Sequence, residues 1–296
     1  MFKRSFLRSM QRADFPRSSL EEVAPWLDVR PVSFEEKYSL GELRGLGAFH
    51  AVREVTNLRT GRTYACKRSQ RDTESAKDIL NEASILRRLS HTNIVKCYDV
   101  LQDGKHVYLV TTMLPGATLQ QAVTERGSYA EEDARAVIKQ ILSAIAHMHS
   151  LGVAHRDLKP ENVMLSCELD HTAVTIIDFG LSVRTTEKGD SMMLSTPCGT
   201  PLYTAPEVFE GRYGLNCDVW SAGIILHVLL SGYPPFVAAS ISDLYSVLKS
   251  CKLFMDPVWQ VISPEAADLV SRLLTVDPQL RCSAEEALRH PWLSDT

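Results

Sequence analysis

The sequence predicts an α+β protein in two lobes, a small β-rich lobe followed by a larger helical lobe. Strand-like patterns occupy much of the chain from Tyr38 to Thr112, and mostly helical patterns follow after Leu119. The change falls near residues 114–116, Leu-Pro-Gly, whose proline and glycine interrupt both patterns. Strands that come first and helices that come later are typical of α+β folds or of separate domains.

The composition is that of a globular protein with its own core. The chain has 296 residues, of which 45% are hydrophobic and 23% charged, which excludes a disordered or collagen-like protein. A formal net charge of −4 gives no global attraction to nucleic acid. The longest nearly apolar run, Ala222–Leu230, is far shorter than the ~18 residues of a transmembrane helix. The seven cysteines are scattered without a C-x-x-C pair, which favours a reducing compartment, so we expect a cytoplasmic protein.

The first 20 residues form a basic leader. They carry five basic side chains and one acidic side chain, a net charge of +4. If the leader is helical, Phe2, Phe6, Leu7 and Met10 share one face. Two interpretations stay open: a solvated leader, or an organellar transit peptide or membrane-surface helix. We assign residues 1–37 to a basic, partly disordered extension and linker.

Strand and helix patterns can be placed from Tyr38 onward. Two strand-like runs, Ala51–Val55 and Thr63–Lys67, flank the turn Asn57–Gly61 and predict a β-hairpin. The same lobe is predicted to contain a helix and two further strands, at Asp78–Leu89, Ile94–Leu101 and His106–Thr112. The second lobe is predicted to contain helices at Ala130–Ser150, Cys217–Leu230, Ile241–Ser250, Pro264–Leu274 and Ala284–Arg289.

Two glycines precede the hairpin. Gly45 and Gly47 allow backbone amides to approach phosphate oxygens, and a following hairpin favours a flap over a nucleotide rather than a dinucleotide-binding fold. Lys67, late in the second strand, is suited to nucleotide phosphates if a helical carboxylate such as Glu82 holds it. The alternatives are an ordinary glycine turn, an edge lysine with its ammonium in water, and a solvated glutamate.

Three further motifs follow in order. The polar run His155–Asn162 (HRDLKPEN) lies between an apolar helix and an apolar pair. Asp178-Phe179-Gly180 follows an apolar strand, and Ala205-Pro206-Glu207 comes later. Each tripeptide occurs by chance in unrelated proteins, but the set in this order and spacing does not.

With these motifs, residues 38–293 resemble a eukaryotic protein kinase catalytic domain of the Ser/Thr type. Within that family the chain is similar to the calcium/calmodulin-dependent group, through residues 194–201, 232–236, 277–281 and 290–293. The resemblance implies the bilobal protein-kinase fold, with an N-lobe over 38–114 and a C-lobe over 115–296. It also implies an enzyme that transfers the γ-phosphoryl group of ATP, with Mg²⁺, to Ser/Thr hydroxyls of protein substrates.

The resemblance assigns roles to five residues of the phosphoryl-transfer machinery. Asp157 accepts the proton of the substrate hydroxyl, Lys159 steadies the transferred group, and Thr200 hydrogen-bonds near both. Asn162 and Asp178 hold Mg²⁺ through hard oxygen ligands. A lysine at position 159 matches kinases that act on Ser and Thr.

The nucleotide contacts are implied in the same way. Gly45 and Gly47 form the flap, and Lys67 holds the α- and β-phosphates while it pairs with Glu82. The adenine contacts are assigned to Val52, Ala65, Thr111, Met113 and Met164, with Thr111 as gatekeeper. Core packing is an equally available interpretation of Val52, Ala65 and Met164.

The segment Leu181–Thr204 corresponds to the activation segment. Arg156 precedes Asp157, as in kinases that need phosphorylation of this segment, and a phosphate could pair with Arg156. Thr196 is the candidate phosphosite, with Ser191 and Ser195 as alternatives, and an upstream kinase is implied as a partner. The resemblance also assigns structural roles to Asp218 and to the pair Glu207–Arg281.

Two residues depart from the family pattern. His50 replaces the third glycine of the flap, and Thr118 replaces a frequent glutamate. These departures carry an alternative, a pseudokinase that acts as a scaffold or allosteric module; a small-molecule phosphotransferase is a third possibility. We expect neither a calmodulin-binding tail nor an EF-hand in this chain.

Overall fold

The computed structural model describes residues 33–46, 51–185, 194–195, 198–251, 253 and 257–294. Predictions for the leader, for Gly47 and His50, and for Ser191 and Thr196 concern residues outside these ranges. The chain divides into two compact units. The smaller unit holds the described residues up to Pro115 together with Asp178–Leu181, and the larger holds Gly116–Ile177 and the described residues from Ser182 onward.

The described residues of the smaller unit form one antiparallel sheet and two helices. The strands are β1 (Tyr38–Leu46), β2 (Ala51–Asn57), β3 (Thr63–Gln70), β4 (Cys97–Gln102) and β5 (His106–Thr111). Their order in the sheet is β1-β2-β3-β5-β4. The helices are α1 (Phe34–Lys37) and α2 (Glu74–Leu86). Aromatic rings contribute to the core of this unit, where Phe34 stacks on Tyr108 with 4.2 Å between ring centroids.

The β2–β3 hairpin forms where the sequence predicts it, and both strands run further than predicted. Asn57 Oδ1 accepts backbone hydrogen bonds from Arg59 (3.1 Å) and Thr60 (3.0 Å), and Gly61 supplies the positive φ of the turn (+67°). The predicted strand at Ile94–Leu101 begins instead at Cys97. Continuous pairing of β4 with β5 starts only there, opposite Thr111, the last residue of β5.

Helix α2 begins four residues earlier than the apolar pattern predicts. Thr73 caps the helix, since its hydroxyl accepts a hydrogen bond from the Ala76 amide (3.2 Å). The first turn is polar, so apolar spacing alone could not detect it. The buried face of α2 includes Glu82, which is 2% exposed although it is charged. Burial of this kind excludes a solvated glutamate at this position.

The larger unit is mainly helical. Its helices are α3 (Leu119–Arg126), α4 (Glu131–Ser150), α5 (Pro206–Phe209), α6 (Cys217–Ser231), α7 (Ile241–Ser250), α8 (Pro264–Leu273) and α9 (Ala284–Leu288). Helix α6 is buried from Cys217 to Leu230, and α4 and α8 pack against it. A helix that is buried on every side forms the core of a unit. No helix among the described residues combines the length and the apolar character needed to span a membrane.

Four short strands accompany these helices. They form two antiparallel pairs, β6 (Val153–Ala154) with β9 (Val183–Arg184) and β7 (Val163–Leu165) with β8 (Val174–Ile176). The polar run His155–Asn162 therefore spans from the end of β6 to the start of β7. Beyond the β7–β8 pair, the Ile177 amide donates to the Asn162 carbonyl (2.9 Å), which places Asn162 beside the residue before Asp178.

The predicted pair Glu207–Arg281 is present and buried. Arg281 Nη1 lies 2.6 Å from Glu207 Oε1, and Arg281 Nη2 lies 2.9 Å from Glu207 Oε2. The two side chains are 0% and 5% exposed. The guanidinium also donates to the carbonyls of Thr275, Val276 and Asn216, so it ties α5 to the segments before α6 and after α8.

Arg281→Met should lower the free energy of unfolding by about 3–5 kcal/mol, because Glu207 would remain buried without its partner. Urea unfolding followed by tryptophan fluorescence measures the change. Arg272→Met is the matched control, since Arg272 and its partner Asp268 are 61% and 49% exposed and such a pair contributes about 0–1 kcal/mol. Equal losses in the two variants would contradict the structural role of the buried pair.

Candidate active site

Asp157 lies in a hydrogen-bonded cluster of the larger unit that engages both of its carboxylate oxygens. Oδ1 accepts a bond from the Thr200 hydroxyl (2.8 Å), and Oδ2 accepts bonds from Lys159 Nζ (2.8 Å) and Asn162 Nδ2 (3.0 Å). Lys159 Nζ also donates to Thr200 Oγ1 (2.7 Å). Asp157 is 8% exposed. Three donors therefore fix the direction of a nearly buried carboxylate.

Asn162 is oriented by the same cluster. Its amide nitrogen donates to both the carbonyl and the carboxylate of Asp157. Because the amide group is planar, its oxygen Oδ1 faces the other way. A short 3₁₀ turn over Pro160–Asn162 positions this side chain, with the Asn162 amide bonded to the Lys159 carbonyl (2.9 Å).

Asp218, near the start of α6, holds the backbone in front of Asp157. Its Oδ2 accepts the His155 amide (2.8 Å), and its Oδ1 accepts the Arg156 amide (2.9 Å). His149 Nε2 lies 3.1 Å from Oδ2. Burial alone would raise the pKa of Asp218, but these hydrogen bonds and the nearby histidines outweigh burial and hold the pKa below its usual value. Asp218 therefore stays ionised and continues to accept the hydrogen bonds from the His155 and Arg156 amides.

Gly199 allows Thr200 to reach Asp157. Its φ is +101°, and a Cβ at this position would lie 2.5 Å from the Arg156 carbonyl oxygen. Glycine alone accommodates both constraints. The contact that the resemblance implies for Thr200 is present, while its part in catalysis stays a prediction.

The smaller unit contains a second charged cluster. Lys67 Nζ, in β3, contacts both carboxylate oxygens of Glu82 in α2 (2.8 and 2.9 Å) and Oδ1 of Asp178 (2.6 Å). A lysine ammonium has three N–H donors, so these oxygens use all of them. The amide of Phe179 also donates to Glu82 (3.2 Å). One cation thus lies between two carboxylates, and the cluster carries a net charge of −1 when all three groups are ionised.

Burial and charge act in opposite directions on this cluster. Burial alone would lower the pKa of Lys67, but the carboxylates of Glu82 and Asp178 outweigh it and raise that pKa, so the ammonium remains charged. Burial raises the pKa of Glu82, and the charge of Asp178 adds to the rise against the opposing effect of Lys67. Asp178 adopts a φ of +62°, a conformation that aspartate tolerates better than most residues.

The residues assigned to adenine are distributed over both units. In the smaller unit, Ala65 in β3 pairs with Thr111 at the end of β5, and Met113 follows two residues later. Val52 in β2 pairs with both Lys67 and Gly45. In the larger unit, Met164 lies in β7 and forms an antiparallel bridge with Thr118. These adenine contacts stay predictions.

The local structure bears differently on the residue types at Gly45 and Thr118. At Gly45, no atom lies within 4 Å of the position that a Cβ would occupy, so protein packing does not demand a glycine there. Thr118 caps α3: its hydroxyl accepts from the Gln121 amide (3.2 Å), and the Gln121 side chain accepts from the Thr118 amide (2.9 Å). A capping box thus accounts for the threonine where kinases often have a glutamate.

Two residues near the site were missed by sequence reasoning. His149 contacts Asp218 from α4, and Tyr213 contacts the Arg156 guanidinium from the segment between α5 and α6. Both are distant from their partners in sequence. No local sequence pattern distinguishes these two residues, because a single buried histidine or tyrosine is typical of an ordinary core residue.

Comparison with known proteins identifies the family of this chain. Residues 38–293 match the family model described as protein kinase domain. The calcium/calmodulin-dependent protein kinase type 1 of Caenorhabditis briggsae is 39% identical over 285 residues, which cover 95% of this chain and 78% of that protein. The enzymes of the same name from Macrobrachium nipponense and Caenorhabditis elegans are 41% and 40% identical, over 88% of this chain and 76% of each relative.

The family match spans both charged clusters and all of the motifs that carry the resemblance. The curated relatives agree with it over most of the chain, and the smaller unit has the antiparallel sheet and the larger unit the helices that the kinase fold requires. The chain therefore belongs to the protein kinase family, as a serine/threonine kinase similar to the calcium/calmodulin-dependent group.

Proposed function

We propose that this protein transfers the γ-phosphoryl group of MgATP to Ser or Thr hydroxyls of protein substrates. The observation that carries the proposal is the Asp157 cluster, in which Thr200, Lys159 and Asn162 orient one carboxylate. Transfer of a phosphoryl group needs positioning and neutralisation of charge more than covalent chemistry by the protein. An oriented base beside a lysine ammonium supplies both.

Asp157 acts as the base in this proposal. Its carboxylate accepts the proton of the substrate hydroxyl as the oxygen of that hydroxyl bonds to the γ-phosphorus, and the bond from the γ-phosphorus to the leaving oxygen of ADP breaks. Lys159, 2.8 Å from Asp157, neutralises negative charge on the transferred group. Thr200 bonds to both side chains and maintains their spacing.

The Lys67 cluster fits a nucleotide with a divalent cation. All three donors of Lys67 are used by carboxylates, so a phosphate oxygen must replace one of them. Asp178 is the partner to exchange, because Glu82 offers two oxygens and also receives the Phe179 amide. A released Asp178 carboxylate and the amide oxygen of Asn162 are the hard ligands that Mg²⁺ prefers. Bound Mg²⁺ would neutralise phosphate charge.

The pseudokinase alternative rests on two departures from the family pattern, Thr118 and His50. Thr118 has a local structural explanation, and Lys67, Glu82, Asp157, Asn162 and Asp178 are all present. His50 lies outside the described ranges. We propose the active kinase, with ATP, Mg²⁺ and protein substrates as its ligands and partners and a cytoplasmic location.

Phosphorylation of the activation segment is part of the same proposal. Thr196 lies in sequence between Leu194, whose backbone pairs with Tyr213, and Cys198, which is 2% exposed. A phosphate there would add about −1.5 to −2 charge near a segment anchored on both sides, and Arg156 is the candidate cation to receive it. An upstream kinase is the implied partner.

Asp157→Asn should lower turnover at least ~10²-fold, because the amide cannot accept the proton although it can occupy the same space. Transfer of labelled phosphate from ATP to basic Ser/Thr peptides measures turnover, and a fluorescent ATP analogue measures binding, which should persist. Asp170→Asn, in the exposed turn between β7 and β8, is the control and should leave turnover unchanged. Wild-type turnover in Asp157→Asn would refute the assigned base.

Lys67→Met should lower kcat/KM for ATP by about tenfold or more. A loss of this size corresponds to at least one hydrogen bond to a charged group. The same assay with varied ATP concentration measures the effect. Lys77→Met is the matched control, since Lys77 lies on the exposed side of α2 with its partner Glu74. An equal response of the two variants would remove Lys67 from nucleotide binding.

Thr196→Ala should reduce activity after incubation with an upstream kinase more than Ser191→Ala does, because only the former removes the proposed phosphate acceptor. Mass spectrometry of the wild-type protein after the same incubation locates the phosphate. If both variants respond to the upstream kinase like the wild type, Thr196 is not the regulatory site.

A further inference from the structure

Tyr213 contacts two separate segments that meet at Asp157. It lies between α5 and α6 and is 0% exposed. Its backbone forms an antiparallel bridge with Leu194: the Leu194 amide donates to the Tyr213 carbonyl (2.6 Å), and the Tyr213 amide donates to the Leu194 carbonyl (3.0 Å). The tyrosine therefore anchors the described residues that precede Thr196.

The hydroxyl of Tyr213 reaches the residues on either side of the Asp157 cluster. It accepts a hydrogen bond from Arg156 Nη1 (3.2 Å) and lies 3.8 Å from Cys198 Sγ. Arg156 directly precedes Asp157 in the chain, and Cys198 precedes Thr200 by two residues. One hydroxyl thus contacts both segments whose ends are joined by the Thr200–Asp157 hydrogen bond.

The protonation states keep this arrangement intact near neutral pH. Burial raises the pKa of the Tyr213 hydroxyl, against the opposing charge of Arg156, and burial raises the pKa of the Cys198 thiol. Both groups therefore keep their protons. Each can then share a hydrogen with the other while the guanidinium donates to the hydroxyl.

The backbone around Arg156 leaves little room for an alternative position. Arg156 has a φ of +68°, its amide is held by Asp218, and its carbonyl lies against Gly199. Because this backbone has few alternative positions, loss of a side-chain contact of Arg156 strains the peptide that joins it to Asp157.

We propose that Tyr213 is a positioning residue that couples Leu194 and residues 198–200 to Asp157 through the guanidinium of Arg156. The inference rests on the proposed kinase activity for its catalytic consequence. Tyr213 does not touch the reacting atoms; its hydroxyl sets the position of the side chain next to the base. Thr196 lies between the two residues that contact Tyr213, so a phosphate on Thr196 would act on the same connection.

Tyr213→Phe tests the hydroxyl and retains the buried ring. We expect kcat for peptide phosphorylation to fall by about tenfold, the scale of one hydrogen bond to a charged group, while KM for ATP is unchanged. Tyr129→Phe is the matched control, because the Tyr129 hydroxyl is buried without a hydrogen-bond partner among the described residues. Its kcat should equal that of the wild type, and thermal unfolding shows whether either variant is less stable.

A double-mutant cycle tests whether the effect passes through Arg156. In an Arg156→Met background, Tyr213→Phe should cause no further loss of kcat, because the guanidinium it acts on is absent. An equal fractional loss in both backgrounds would overturn the coupling, and so would a wild-type kcat in Tyr213→Phe alone.

The rate of Cys198 alkylation gives a readout that does not depend on activity. Iodoacetamide labelling mapped by mass spectrometry should be faster at Cys198 in Tyr213→Phe than in the wild type, with labelling of the exposed Cys167 unchanged. If the wild type transfers no phosphate, the proposed function fails. Faster Cys198 labelling then still supports the anchoring role of Tyr213, and an unchanged rate overturns it.

Discussion

Asp218 is the residue that holds the loop around Asp157 in place. Its carboxylate is fully buried in α6 and receives the amides of His155 and Arg156, so the chain just before Asp157 is tied to the core of the larger unit. A buried carboxylate is unfavourable unless it is fully hydrogen-bonded. Here the Asp218 carboxylate accepts the amides of two loop residues, which lie outside any strand and so have no ladder partners. The rigid helix α6 thereby fixes the chain next to Asp157, the proposed base.

The Asp157 cluster of the larger unit and the Lys67 cluster of the smaller unit are both held together by paired charges. In the larger unit, donors surround a carboxylate, and in the smaller unit, carboxylates surround the ammonium of Lys67. Such clusters are unfavourable as isolated buried charges and become stable only when each member is paired. In the proposed function, a phosphate replaces Asp178 as a partner of Lys67.

Much of the fold and the site was predictable from the sequence, and the failures have physical causes. The hairpin around Asn57–Gly61 and the helices α6 and α7 follow from local turn chemistry and apolar spacing. The start of α2 was missed because Thr73 caps a polar first turn, and the start of β4 was wrong because a strand is limited by its partner. The roles of His149 and Tyr213 were not predicted, because their partners are distant in sequence.

The sequence by itself determined the identity of the chemistry. The motifs HRDLKPEN, DFG and APE, in this order, identify the family, and the resemblance to that family predicts the base and the metal ligands. Only the tertiary structure decided how these residues are held. Burial of Glu82, the αL conformation of Asp178 and the hydroxyl of Tyr213 on Arg156 depend on contacts between remote segments. Local sequence cannot encode such contacts, because they form only when the elements pack.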